Sequence, residues 1–242
     1  MTEPKPTIFW DFDGTLVLTP KWSTSLVKAL DILHPGHNVS REQIRIFLQE
    51  GFPWHTPERY HPELSSPEAW WSFVRPVLAG AVHKVGYGSE ESSKVAKLAQ
   101  KYILNPETYT PYDDALPVLQ DLSEKGWQHF ILSNNYPELS NVVSRQSFNH
   151  LITGCITSGL VGYEKPNPGI FAYALDCAGR PEEVWMVGDN IEADVGGAEA
   201  VGIPAILVHT EVSDKPRYYA DDLYEVAGII GENSLHRRIP VG

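Results

Sequence analysis

Two aspartates separated by one residue, Asp11 and Asp13, follow a short apolar run, Ile8-Phe9-Trp10, and precede Gly14 and Thr15. A strand alternates its side chains between faces, so two residues two positions apart start on one side. Both carboxylates can thus lie at the mouth of a strand's C-terminal end, where Gly14 lets the backbone turn sharply. Oxygen ligands there suit a hard cation such as Mg²⁺, which binds together with substrate phosphate. One carboxylate could also attack phosphorus and form an aspartyl-phosphate. Asp and Gly are ordinary turn residues as well, so this stretch alone leaves a solvated turn open.

The elements that would position these groups follow from the apolar pattern. Trp22, Leu26, Ala29, Leu30 and Leu33 have helical spacing after Pro20. Ser40 and Gln43 form a capping box ahead of Ile44, Phe47 and Leu48. Residues 51–66 are irregular, and Ser66-Pro67 opens a helix that Pro76 should kink or divide. A fourth helix is expected over 90–104. From Pro111 onward helical stripes alternate with apolar strands: helix 115–125 closed by Gly126, strand 127–132, helix 137–148, strand 151–157, a loop 159–168, helix 170–178, strand 184–187, helix 192–201 and strand 205–208. Gly228-Ile229-Ile230 reads as a last short strand before a loose end. Alternating strands and helices imply a parallel sheet covered on both faces. In such sheets ligands sit beyond the strands' carboxyl ends. Asp11, Asp13, Ser133, Asn134 and Asp189 all fall at such ends, and Lys165 falls in the loop after the third strand.

Four segments in this order resemble the motifs of the haloacid dehalogenase superfamily, which is mostly phosphatases. They are Asp11-Phe12-Asp13-Gly14-Thr15-Leu16, Ser133, Tyr163-Glu164-Lys165-Pro166 and Gly188-Asp189-Asn190-Ile191-Glu192-Ala193-Asp194. The resemblance implies an α/β fold: a Rossmann-like parallel-sheet core, residues 1–18 and 106–242, with an inserted all-helical cap, residues 19–105. It implies a Mg²⁺-dependent phosphatase that hydrolyses a small phosphate monoester, of phosphoglycolate, sugar phosphate or nucleotide type. Asp11 would attack phosphorus, and Asp13 would act as general acid and then base. Thr15, Ser133, Asn134 and Lys165 would hold phosphate or orient the groups that do. Asp11, Asp13 and Asp189 would ligate the metal, with Asp194 behind them or acting through water.

Between the first two motifs the resemblance is weakest. There His55 and Arg59 are the polar candidates for substrate contact, while Trp54, Trp70, Trp71 and Arg75 suit a pocket wall or plain core packing. A dehalogenase is disfavoured by Asp13, because a leaving halide needs no proton. A phosphonate hydrolase usually lacks that second aspartate and uses a cap lysine. A phosphomutase, or a silent regulatory binding protein on the same scaffold, also remains open.

Composition narrows the partners. The chain of 242 residues has 19 Lys and Arg against 31 Asp and Glu, a formal charge of −12. That argues against a nucleic-acid surface or an anionic membrane. An anionic substrate must therefore find local cations or backbone N–H groups. Cys155 and Cys177 form neither a metal-spaced pair nor a disulfide framework. No run is long enough to span a bilayer, and residues 1–7 lack a signal-type apolar region. A soluble, cytoplasmic protein with a small phosphorylated metabolite as partner is the expectation.

Overall fold

The computed structural model describes residues 4–19 and 22–237, with side chains to residue 233. Residues 1–3, 20–21 and 238–242, on which parts of the N-terminal segment, the expected helix start and the loose end fall, lie outside the described residues.

Strand β1, Thr7–Trp10, is wholly buried and runs up the middle of a six-stranded sheet. Ile8, Phe9, Trp10 and Phe12 are each 0 % exposed; burying an Ile or Phe side chain is worth about 1.5–3 kcal/mol. A two-stranded ribbon then pairs β2, Val17–Leu18, antiparallel with β3, Thr110–Pro111. These strands carry the chain into and out of a helical segment. The rest of the sheet is β4, Gln128–Ser133; β5, Ile152–Thr157; β6, Val184–Gly188; β7, Ala205–Val208; and β8, Tyr219–Ala220. The order is β5-β4-β1-β6-β7-β8, and every pairing in it is parallel. Trp10 pairs with Ile131 on one side and Val187 on the other, so β1, β4 and β6 end side by side. The segments that follow them, with Asp11, Asn134 and Asp189, must therefore meet.

Helices α1, Trp22–Leu33; α2, Arg41–Arg45; α3, Pro67–Lys84; and α4, Ser89–Ile103, form the segment between β2 and β3. The capping box is present: Ser40 Oγ accepts from Gln43 N, and Gln43 Oε1 accepts from Ser40 N. Pro76 does not divide α3, which runs unbroken through it. Pro76 and Ser72, whose carbonyl loses its donor, are both exposed, so that carbonyl faces solvent and is not left unpaired in the core. Buried Trp70, Trp71, Val74 and Leu78 hold the helix from its other face.

Other expectations are corrected. Residues 137–148 hold only the helix Leu139–Val143; Ser144 Oγ donates to Asn141 O, a local bond that competes with helix continuation. The expected loop 159–168 starts as a helical turn, Ser158–Val161. Gly228-Ile229-Ile230 lies inside the helix Leu223–Arg237 and forms no strand. Leu223, Val226 and Ile230 are its buried stripe, at helical spacing. Asp222 Oδ1 accepts from Glu225 N at its start. No helix among the described residues is long and apolar enough to cross a membrane.

A buried histidine ties β1 to β4 and gives the fold an acid limit. Trp10 Nε1 donates to His129 Nδ1 at 3.0 Å, which leaves the ring proton on Nε2, facing Leu119 O and Ser123 Oγ, each at 3.1 Å. Burial pushes the His129 pKa down to about 4. The unfolded chain titrates near the ordinary value of about 6.5, so between the two it takes up a proton that the fold refuses. Stability from His129 is therefore complete above about pH 6.5 and lost as pH falls toward 4, up to about 3 kcal/mol in all. Denaturant unfolding at pH 7 and pH 4.5 should show a larger acid loss in the wild type than in His129→Gln; equal losses would contradict this.

Candidate active site

β1 ends at Trp10, and Asp11 N donates to Val187 O, which carries the β1–β6 ladder one residue further. Gly14 then turns with φ +82°, and a Cβ there would run into the Asp189 carboxylate. The glycine is required by both its conformation and its neighbour.

Lys165 is the centre of the charge arrangement. Its Nζ lies 2.6 Å from Asp194 Oδ1, 3.0 Å from Asp11 Oδ1 and 2.7 Å from Leu132 O. The ammonium is buried; it donates hydrogen bonds to Asp194 Oδ1 and Leu132 O and forms an ion pair with Asp11. Asn134 fixes the Lys165 backbone from both sides: its Oδ1 accepts from Lys165 N at 2.6 Å, and its Nδ2 donates to Lys165 O at 2.8 Å. Asp194 sits in a π-helical turn, Ile191–Gly196, where a regular helix was expected. It is fully buried, with Oδ2 accepting from Asn190 N at 3.0 Å. Gly188 leaves room for it, since a Cβ there would meet the Asp194 carboxylate. Gly197 likewise packs directly on Pro166, 2.8 Å from where a Cβ would be.

Carboxylates crowd around this one cation. Oxygens of Asp11, Asp189 and Asp194 lie within 4.8 Å of one another. Burial, then the charges of Asp11 and Asp194, push Asp189 up to about 8. Burial, then Asp11, raise Asp13 to about 7, against the opposing hydrogen bond from Asn135 Nδ2 to Asp13 Oδ2 at 3.1 Å. Asp194 rises to about 6 through burial, opposed by Lys165. Burial would depress Lys165, but the charges of Asp11 and Asp194 outweigh it and raise its pKa. A buried cluster so rich in negative charge, with oxygen donors converging, fits a hard divalent cation.

A cavity of about 430 Å³ opens over these groups; Asp11, Asp13, Asn134, Lys165, Asp189 and Asp194 line it, with Trp22 and Trp54 above. Thr15 and Ser133 are not among its walls. Thr15 is 0 % exposed and its hydroxyl has no partner among the described residues. Ser133 is 1 % exposed, its Oγ 3.4 Å from Asn135 Nδ2. A second cavity, about 360 Å³, adjoins at Asp13 and takes in His55. Arg59 is exposed and lines neither cavity; it lies three residues beyond Thr56, in a turn that directs it to solvent. Trp70 and Trp71 are core residues, and Arg75 Nε donates to Trp71 O. Asn135, Trp22 and Arg45 line the cavities without having been singled out from the sequence. Asn135 sits beside Asn134 at a strand end, which was a usable signal; Trp22 and Arg45 depend on how the helices pack.

The loop over the site is fastened to the core. His61 N donates to Gly162 O at 2.7 Å, Asn167 Nδ2 donates to Pro57 O at 2.9 Å, and Tyr60 stacks on Tyr163 at 4.3 Å.

A parallel α/β sheet with carboxylates and a buried ammonium gathered past its strand ends is the architecture of an enzyme acting on a small ligand. The family model described as haloacid dehalogenase-like hydrolase matches residues 5–202, and the chain belongs to that family of hydrolases. It is 34% identical over 113 residues to the glyceraldehyde 3-phosphate phosphatase of Methanothermobacter thermautotrophicus, covering 46% of this chain and 50% of that protein. It is 31% identical over 206 residues to the phosphoglycolate phosphatase of Aquifex aeolicus, covering 83% of each. The chain thus spans half the length of the first relative. Among solved structures, the magnesium-bound HAD-hydrolase YfnB of Bacillus subtilis matches with a TM-score of 0.70 at 17% identity, covering 95% of this chain and 100% of that one. The L-2-haloacid dehalogenase of Xanthobacter autotrophicus matches with a TM-score of 0.69 at 22% identity, covering 94% and 98%. At those identities the two structures speak for the fold.

Proposed function

We propose that the chain hydrolyses a small phosphate monoester through an aspartyl-phosphate on Asp11. The observation that carries this reading is the meeting of Asp11, Asp13, Lys165 and Asp189, from three places in the sequence, on one cavity. Asp11 attacks phosphorus as the bond from phosphorus to the leaving oxygen breaks. Asp13, which holds its proton up to about pH 7, gives that proton to the departing alkoxide. Asp13 then takes a proton from the water that attacks the phosphorus of the intermediate, which frees phosphate and restores Asp11. Lys165 Nζ, 3.0 Å from Asp11 Oδ1, offsets charge that builds on the phosphoryl oxygens. Asp11, Asp189 and the Asp13 backbone carbonyl would hold Mg²⁺, with Asp194 behind them, and the ion would supply charge neutralisation at the phosphate. Residues 19–105 act as the cap over a core of 1–18 and 106–242, and their closure excludes bulk water.

A dehalogenase would have no use for a proton donor at Asp13, which favours the phosphatase. Relatives bearing the names of phosphatases support the same choice. The test is phosphate release from a panel of metabolite monoesters and 4-nitrophenyl phosphate. Turnover should require Mg²⁺, vanish with a chelator and return on adding the ion back. Ca²⁺ should not replace it, because its looser coordination tolerates geometry unsuited to in-line attack. Full activity in metal-free protein, or release of halide and no phosphate, would overturn the reading.

A further inference from the structure

Two cavities meet at Asp13, and they differ in what lines them. The first holds Asp11, Lys165 and Asp189, and so belongs to the phosphoryl group. The second is lined by Ser23, Arg45, Gln49 and His55, with Trp22 and Ile103 as apolar walls. Asp13, Asn135 and Trp22 belong to both. On the reading that Asp13 protonates the leaving oxygen, the alcohol part of the substrate extends into the second cavity.

That cavity carries an exposed guanidinium with no side-chain partner among the described residues. Ile44, 0 % exposed, pins α2, and Arg45 follows it at the helix end, on the cavity wall. Among the described residues the Arg45 side chain makes no ion pair and no hydrogen bond, whereas Arg41 and Arg180 are each paired with a carboxylate. On the same cavity's wall, His55 Nδ1 accepts from Phe52 N at 3.2 Å, which leaves Nε2 as the ring's donor. A guanidinium presents a planar fork that matches a carboxylate or a phosphate with two parallel bonds. In a chain of net charge −12, an unpaired cation on the wall of a cavity that Asp13 also lines is a place for an anion to sit. The volume, about 360 Å³, is at the small end of ligand pockets, which run roughly 300–1,000 Å³.

We propose that the enzyme selects phosphate monoesters whose alcohol part carries a second anionic group, bound by Arg45 with His55 Nε2–H as a neighbouring donor. The proposal rests on the phosphatase reading and adds the substrate class to it.

Matched pairs test it. In the carboxylate arm, 2-phosphoglycolate is compared with ethyl phosphate, and 3-phosphoglycerate with glycerol 3-phosphate. In the phosphate arm, fructose 1,6-bisphosphate is compared with fructose 6-phosphate. The wild type should favour the charged member of at least one arm by about tenfold or more in kcat/KM, since a hydrogen bond to a charged group is worth that much. The arm that shows the preference identifies the anion. Arg45→Gln should bring that ratio down toward one, and Arg45→Lys should keep part of it. Thermal melting of each variant checks that the exposed site has not disturbed the fold. A wild-type ratio near one in both arms, or a ratio that survives in Arg45→Gln, would overturn the proposal while phosphate release from 4-nitrophenyl phosphate left the phosphatase reading standing. Release of phosphate from no member of the panel would remove both.

Discussion

Asp11→Asn abolishes turnover and leaves the protein as stable as before, or slightly more so. The substitution keeps volume and shape but replaces the attacking anion with a neutral amide, so the covalent route is closed. Losing an activated nucleophile of this kind costs on the order of 10⁴-fold or more in rate. Stability does not suffer, because the Lys165 ammonium keeps Asp194 at 2.6 Å and Leu132 O at 2.7 Å. Removing one charge also relieves the crowding that pushes Asp189 and Asp13 upward. Phosphate release measured beside thermal melting checks both halves. Residual activity within a few-fold of wild type would remove Asp11 from its role.

Lys165→Met is expected to damage both function and fold. The apolar stem is conserved in the substitution and the ammonium is not. Asp11 and Asp194 then face each other and Asp189 with no cation among them. Breaking a buried ion pair from one side typically costs about 3–5 kcal/mol. Turnover should fall by a further independent effect, roughly 10²–10³-fold, because charge developing on the phosphoryl oxygens loses a fixed partner. Denaturant unfolding gives the first quantity and kcat on the remaining folded enzyme the second. A variant with normal stability and normal kcat would mean that Lys165 is an onlooker.

Strands β1, β4, β6 and β7 were readable because they are buried on both faces and so appear as apolar runs between glycine and proline punctuation, whereas the two-residue edge strand β8 gave no such run. Three of the motifs were readable because each sits at a strand end, where the chemistry depends on short local spacing: Asp11 with Asp13, Gly188 with Asp189; the Lys165 motif follows β5 only after the turn Ser158–Val161. What stayed hidden depends on contacts between distant segments. Asn134 could be placed at the site from its position after β4, but its side chain spends both polar atoms on the Lys165 backbone, 31 residues away. Asp194 was readable as an outer carboxylate, but its direct hold on Lys165 needs the wide turn at Ile191–Gly196. Arg59 attracted notice because it lies in an irregular loop; the loop's turn at Thr56–Arg59 sends it outward, and Arg45, on a short helix, stands on the cavity wall instead. The β-branched pair Ile229-Ile230 suggested a strand, while Leu223, Val226 and Ile230 at helical spacing decided the matter.

The central claim, that Asp11 becomes phosphorylated during turnover, can be tested on the intermediate itself. Enzyme turning over 4-nitrophenyl phosphate with Mg²⁺ is quenched in acid, digested and examined by mass spectrometry, with borohydride reduction of a parallel sample. The peptide carrying Asp11 should gain the mass of one phosphoryl group, the adduct should be lost in base, and borohydride should convert Asp11 to homoserine. The same quench of Asp11→Asn should give none of these. Steady release of phosphate with no adduct on that peptide under rapid quench, or an adduct on a different residue, would contradict the account.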